Sequence, residues 1–234
     1  MEIFLDSSSP EEILKGRAWG VISGVTTNPS LISTAGPNMK DTLARILEAS
    51  PGPVLVQAVG WHEPKALVGQ AKWLHAFSSR IIVKLPISVA GIQAVLFLKR
   101  ELPDLRLAVT AVASVAQAYL CGKASADIVA IFNGPLDQVS DTPVELVAPV
   151  RKIFGNYGFQ TKILSCGRFP RHFGEVAEAG TDICTMKLDF LRMLYEHPFS
   201  EKRVTGFLAD WKRTFGETTW PEQLDNAEYQ DVHH

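Results

Sequence analysis

Several side chains able to do chemistry stand at one recurring place in this sequence, the end of a short, β-rich apolar run. Lys84 closes Ile81-Ile82-Val83-Lys84 and is followed by Leu85-Pro86. Burial at the end of such a strand disfavours the charged amine and lowers its pKa. The neutral form, which attacks carbonyl carbon, then becomes available. A lysine in this place can also lay its stem along the strand and keep its ammonium in water. Asp6 ends Phe4-Leu5-Asp6, where a carboxylate could exchange a proton with an alcohol or a carbinolamine. Aspartate is equally the residue that opens a turn such as Ser7-Ser8-Ser9-Pro10.

Other polar residues share the pattern. Thr26 closes the second run and leads into Thr27-Asn28-Pro29-Ser30, in which Pro29 restricts Asn28 to extended geometry and fixes the direction of its amide. A plain Asn-Pro turn has the same composition. Gln57 and Thr110 end two further runs and together could hold a water near the amine, although neutral polar groups are also common as satisfied core residues. Phe132, with Asn133, follows the sixth run, and Ser165, Cys166 and Arg168 follow the seventh. Arg168 is a candidate anion clamp, with a helix expected just beyond it, while Arg171 reads as a surface residue. Thr185 ends the last run. Polar groups inside an apolar sheet cost free energy unless paired or used, so their convergence is a site hypothesis.

The elements that must position them are read from periodicity. Runs at Ile3–Leu5, Gly24–Thr26, Val54–Gln57, Ile81–Lys84, Leu107–Thr110, Ile128–Ile131, Thr161–Leu164 and Asp182–Thr185 make eight strand candidates. Segments between them carry apolar residues at helical spacing, such as Leu43, Ile46 and Leu47, or Val144, Val147 and Val150. Ser9 followed by Pro10 is a helix-start signal. Continuous apolar strands suit a parallel sheet covered on both faces. No GxGxxG or GxxxxGK[ST] loop is present to support an open doubly wound sheet. The expectation is an α/β fold: a (β/α)₈ TIM barrel over residues 1–216, with an additional C-terminal helix, and a polar tail over 217–234. Val204, Phe207, Leu208 and Trp211 form a stripe expected to close the bottom or side of the barrel.

Composition limits the partners. A net charge of −2 over 234 residues provides no global field for nucleic acid or an anionic membrane. No apolar run approaches the ~20 residues of a membrane span, and Met1–Asp6 reads as a strand rather than a signal peptide. Cys121, Cys166 and Cys184 are odd in number and lack CxxC spacing, which suits reduced thiols in the cytoplasm. The six histidines include no HExxH pair, so neither a metal nor another cofactor is expected.

Taken together, Phe4-Leu5-Asp6, Gly24-Val25-Thr26-Thr27-Asn28-Pro29-Ser30-Leu31-Ile32 and Val83-Lys84-Leu85-Pro86 resemble the short transaldolase and fructose-6-phosphate aldolase family. Val109-Thr110-Ala111-Val112, Asn156-Tyr157-Gly158-Phe159, His197-Pro198 and Phe207-Leu208-Ala209-Asp210-Trp211 are similar to it as well. The resemblance runs from Met1 to about Gly216. It implies a class I aldolase on a (β/α)₈ barrel in which Lys84 forms the Schiff base and Asp6 transfers protons. Gln57 and Thr110 would hold a catalytic water, Asn28 would meet substrate hydroxyls, and Arg168 a sugar phosphate. It also implies a homo-oligomer, a pentamer or decamer, in which the late helix packs on a neighbouring subunit.

Two departures from the family pattern bear on anion specificity. Phe132-Asn133-Gly134-Pro135 lacks the usual Gly-Arg, and Ser165-Cys166-Gly167-Arg168 is one residue shorter than usual. A phenylalanine at position 132 goes with transfer and a tyrosine with release of free dihydroxyacetone, whereas Gln57 is shared with the releasing enzymes. The expected activity is transfer of a dihydroxyacetone unit from a ketose, as its phosphate, to an aldose in carbohydrate metabolism of the pentose phosphate kind. The alternatives are a lyase, a transaldolase for a modified sugar, and a non-catalytic sugar-phosphate-binding barrel.

Overall fold

The computed structural model of the chain describes residues 1–36, 38–131, 146–217 and 219–220. Eight parallel strands close on themselves in chain order: β1 Glu2–Asp6, β2 Ile22–Thr26, β3 Val54–Gln57, β4 Ile81–Pro86, β5 Leu107–Val112, β6 Ile128–Ile131, β7 Lys162–Cys166 and β8 Ile183–Met186. Helices between them include α1 Pro10–Ala18, α2 Pro29–Thr34, α3 Met39–Ala49, α4 Pro64–Phe77, α5 Val89–Glu101, α6 Val115–Lys123, α7 Val147–Tyr157 and α8 Pro170–Glu178. The fold is the expected (β/α)₈ barrel with a further C-terminal helix, Pro198–Phe215. β4, β5, β7 and β8 each run one or two residues beyond the last residue of the apolar runs. Backbone pairing continues there under Pro86, Val112, Cys166 and Met186.

Strand parity explains where everything goes. Side chains alternate faces along a strand, and the inward set Phe4, Leu55, Ile82, Ala108, Ile128, Ala130, Leu164 and Ile183 forms one buried cluster inside the barrel. Two residues further along β1, β3, β4, β5, β7 and β8 stand Asp6, Gln57, Lys84, Thr110, Cys166 and Thr185. An apolar floor therefore carries a polar layer at the C-terminal ends of the strands, the end where such barrels place their sites. On β2 the floor position is Gly24, because the Phe4 ring occupies the volume: an added Cβ would lie 2.7 Å from two of its ring carbons.

The opposite end is held by charges. Asp127, just before β6, accepts from Leu107 N at 2.6 Å and from Lys99 Nζ at 2.5 Å. Asp182, just before β8, repeats the device with Ile163 N at 2.6 Å and the Arg151 guanidinium. Arg80 bonds three carbonyls, of Leu47, Ser50 and Gly52, at 2.6–2.7 Å. Asp127 and Asp182 tie a strand start to the start of the preceding strand and to the helix before it, and Arg80 ties one to the end of α3 and the loop before the preceding strand.

The chain divides into two compact units, Met1–Arg192 and Met193–His234. In the second, Val204, Phe207 and Leu208 of the helix Pro198–Phe215 are 53–65% exposed. No described helix is long and apolar enough to cross a membrane.

Candidate active site

The polar layer opens into a cavity of about 590 Å³ at the C-terminal end of the barrel. Among the expected residues, Asp6, Thr26, Asn28, Gln57, Lys84, Thr110 and Cys166 all line it. Lys84 is 8% exposed, and burial holds its amine below the usual lysine range, opposed by the nearby Asp6 carboxylate and then by Cys166. Among the described residues no hydrogen bond or ion pair engages the amine. Register sets Gln57 of β3 beside Lys84.

Asp6 is pushed above the ordinary carboxylate range by burial. A hydrogen bond from Thr26, and then the charges of Lys84 and Lys187, pull it back. The Thr26 hydroxyl donates to Asp6 Oδ1 at 2.7 Å and lies 2.6 Å from the Thr185 hydroxyl. Thr26 has one proton and gives it to the carboxylate, so Thr185 is the donor in the second bond. The relay Thr185 to Thr26 to Asp6 fixes the direction of the carboxylate from the two flanking strands, since β1 pairs with both β2 and β8.

Asn28 is extended, with φ −149° and ψ 167°, as a residue before proline should be. Its Oδ1 caps α2 by accepting from Leu31 N at 3.0 Å, which leaves the amide N–H groups for the cavity. Next to Thr110, Ala111 lines the cavity with φ 62°, in the left-handed region. The β5–β6 register shifts at this point, so a bulge turns the strand end at the mouth of the site.

Two expected residues stand elsewhere. Ser165 is fully buried on the opposite parity to Cys166, with its hydroxyl 3.1 Å from that of Thr181, and it does not reach the cavity. Adjacent strand residues cannot both face inward. Arg168, half-buried two residues beyond Cys166, is not among the residues lining the cavity. Phe132 lies outside the described residues, as does Pro135. Arg171 is indeed a surface residue, paired with Glu175 at 2.6 Å. Thr185, expected at the end of the last run, enters the site as a member of the relay, whereas Lys187, one residue past β8, also lines the cavity and was missing from the expected site. Continuing the inward parity of Ile183 and Thr185 by two would have found it. Among the described residues no group of three or more His, Cys, Asp or Glu could hold a metal ion.

The comparison with known proteins agrees with the geometry. The family model described as Transaldolase/Fructose-6-phosphate aldolase matches residues 3–228. A probable transaldolase of Aquifex aeolicus (strain VF5) is 37% identical over 91% of this chain and 97% of its own length. One of Kosmotoga olearia is 39% identical over 91% of this chain and 96% of its own. One of Herpetosiphon aurantiacus is 38% identical, with the same coverage as the latter. With matches of this extent, and a barrel carrying a buried amine beside a carboxylate, the chain belongs to the transaldolase and fructose-6-phosphate aldolase family, enzymes of the aldolase and transferase class.

Proposed function

We propose that the protein is a transaldolase that moves a dihydroxyacetone unit from a ketose phosphate to an aldose acceptor through a Schiff base on Lys84. The observation that carries this is the buried Lys84 amine, unengaged among the described residues and sharing the cavity with Asp6, whose carboxylate is near enough to act on its charge. Neutral Lys84 adds to the ketone carbon, and the carbinolamine loses water to give an iminium ion. Asp6 takes the proton of the C4 hydroxyl, the C3–C4 bond breaks, an aldehyde leaves, and the bonding pair enters the iminium to form an enamine. The enamine adds to the acceptor aldehyde, Asp6 returns its proton to the new alkoxide, and water releases the product from Lys84. Gln57 and Thr110 would orient that water, and the Asn28 amide would donate to substrate hydroxyls. Arg168 and Phe132 are proposed as further substrate-binding residues. The reaction as written uses no metal or organic cofactor.

Borohydride reduction in the presence of fructose 6-phosphate, followed by mass spectrometry, should place the adduct on Lys84. An unmodified Lys84 would sink the proposal. Gln57 in the cavity favours a second reading, a lyase that releases free dihydroxyacetone. Strict dependence of turnover on an added aldose such as erythrose 4-phosphate supports transfer, and turnover without it supports the lyase. The exposed stripe of Val204, Phe207 and Leu208 supports a homo-oligomer in which this helix packs on a neighbouring subunit. Reduced cysteines suit a cytoplasmic location.

A further inference from the structure

Lys187 is a second cation of the cavity. It follows β8 directly, on the inward parity of Ile183 and Thr185, and it lines the same cavity as Lys84 and Asp6. Apart from Lys84 it is the one cationic side chain among the described lining residues. The two amines are unlike. Lys84 is 8% exposed, whereas Lys187 stands exposed at the rim. No hydrogen bond or ion pair among the described residues engages it.

Their placement sets a span. In a closed ring of eight strands β4 and β8 stand four places apart, on opposite walls. Asp6, on β1, adjoins the β8 side, where Leu5 pairs with Met186. A ketose whose carbonyl meets Lys84 on one wall can direct its far end to Lys187 on the other, with Asp6 on the strand next to that wall.

We propose that Lys187 is a specificity residue that binds an anionic group, phosphate or carboxylate, at the far end of the ketose, and so selects against anions next to the ketone. The inference rests on the Lys84 reading given above. One cation held to an oxyanion by a charge-assisted hydrogen bond should change affinity by roughly ten- to a hundredfold.

The test measures half-saturating concentrations for the borohydride-trapped Lys84 adduct with fructose 6-phosphate, fructose 1-phosphate and uncharged dihydroxyacetone. In Lys187→Met the ratio of fructose 6-phosphate to dihydroxyacetone should rise by about ten- to a hundredfold. Lys187→Arg should restore most of it, and added salt should erode the parent's preference. Equal losses for charged and uncharged ketones would overturn the inference, because Lys187 would then act only through Asp6 or the fold. So would no change at all, or an equal loss with fructose 1-phosphate. Calorimetric binding of fructose 6-phosphate separates the two readings. Lys187-dependent binding without any adduct in the parent would refute the Schiff-base amine and leave the role of Lys187 standing.

Discussion

Replacing Gly24 by alanine should cost stability and loosen the site through a clash whose geometry is fully specified. The new methyl would stand 2.7 Å from two ring carbons of Phe4 and 2.7 Å from the carbonyl oxygen of Pro53. Unbonded carbons rest at about 3.5–4.0 Å, so roughly 1 Å of room is needed on two sides at once. Phe4 is 1% exposed in the barrel floor, against Leu55 and Ile82, and has nowhere to go. The Pro53 oxygen accepts from Val25 N at 3.0 Å, so its retreat would weaken the β2–β3 pairing. Overpacking at about 1–3 kcal/mol plus one weakened hydrogen bond at about 1 kcal/mol gives a loss of about 2–4 kcal/mol. For a domain of this size the melting temperature should fall by roughly 5–15 °C, read by calorimetry or circular dichroism. Thr26 lies two residues beyond, and its 2.7 Å bond to Asp6 depends on the same register, so adduct formation should slow as well. Gly69, exposed within α4 and with nothing within 4 Å of a built Cβ, is the control. Alanine there should be neutral or stabilise by about 0.5–1 kcal/mol. A Gly24→Ala protein that melts within about 2 °C of the parent, no more than about 1 kcal/mol would bring, would refute the packing argument.

Asp6→Asn keeps an oxygen for the Thr26 bond but removes the base, so turnover should fall by about 10²–10⁴ while the dihydroxyacetone adduct still forms. The Asp6 charge raises the Lys84 pKa. Removing it leaves the amine neutral at still lower pH, so the acid limb of adduct formation should move downward, and an upward move would contradict the assigned coupling. Thr185→Val deletes the donor to Thr26 inside a buried relay. It should cost about 1 kcal/mol and a melting shift of roughly 2–4 °C, with turnover reduced more than adduct affinity. Asp182→Ala strands Ile163 N at the far end of the barrel and takes the carboxylate from the Arg151 guanidinium, which keeps its bonds to the Gly180 carbonyl. A loss of about 1–3 kcal/mol in denaturant titration is expected, with kcat/KM at low temperature unchanged; a selective loss of activity would count against a purely structural role.

Much of this was legible before any coordinates. Runs such as Ile81–Val83 and Ile128–Ile131 are rich in branched residues and apolar at every position, as a doubly covered parallel sheet favours, and they mark the strands where they stand. Strand ends were less visible because apolarity stops before backbone pairing does. β7 continues through Ser165-Cys166 and β8 through Met186. That difference decided the misplaced site residues. Ser165 and Cys166 were read as one polar cluster, yet parity sends the first to Thr181 among the helices and the second to the cavity. Lys187 escaped because it lies beyond the last apolar run, where composition alone reads as loop. The left-handed Ala111 could not have been found from its residue type, since alanine carries no mark of that conformation.

The latches formed by Asp127, Asp182 and Arg80 share no residue with the cavity, and the whole length of the strands separates them from it. Substitutions at the two ends of the cylinder should therefore combine additively. A lineage, or an engineer, can reshape what the mouth accepts while reinforcing the base independently, so new substrates need not be traded against heat resistance.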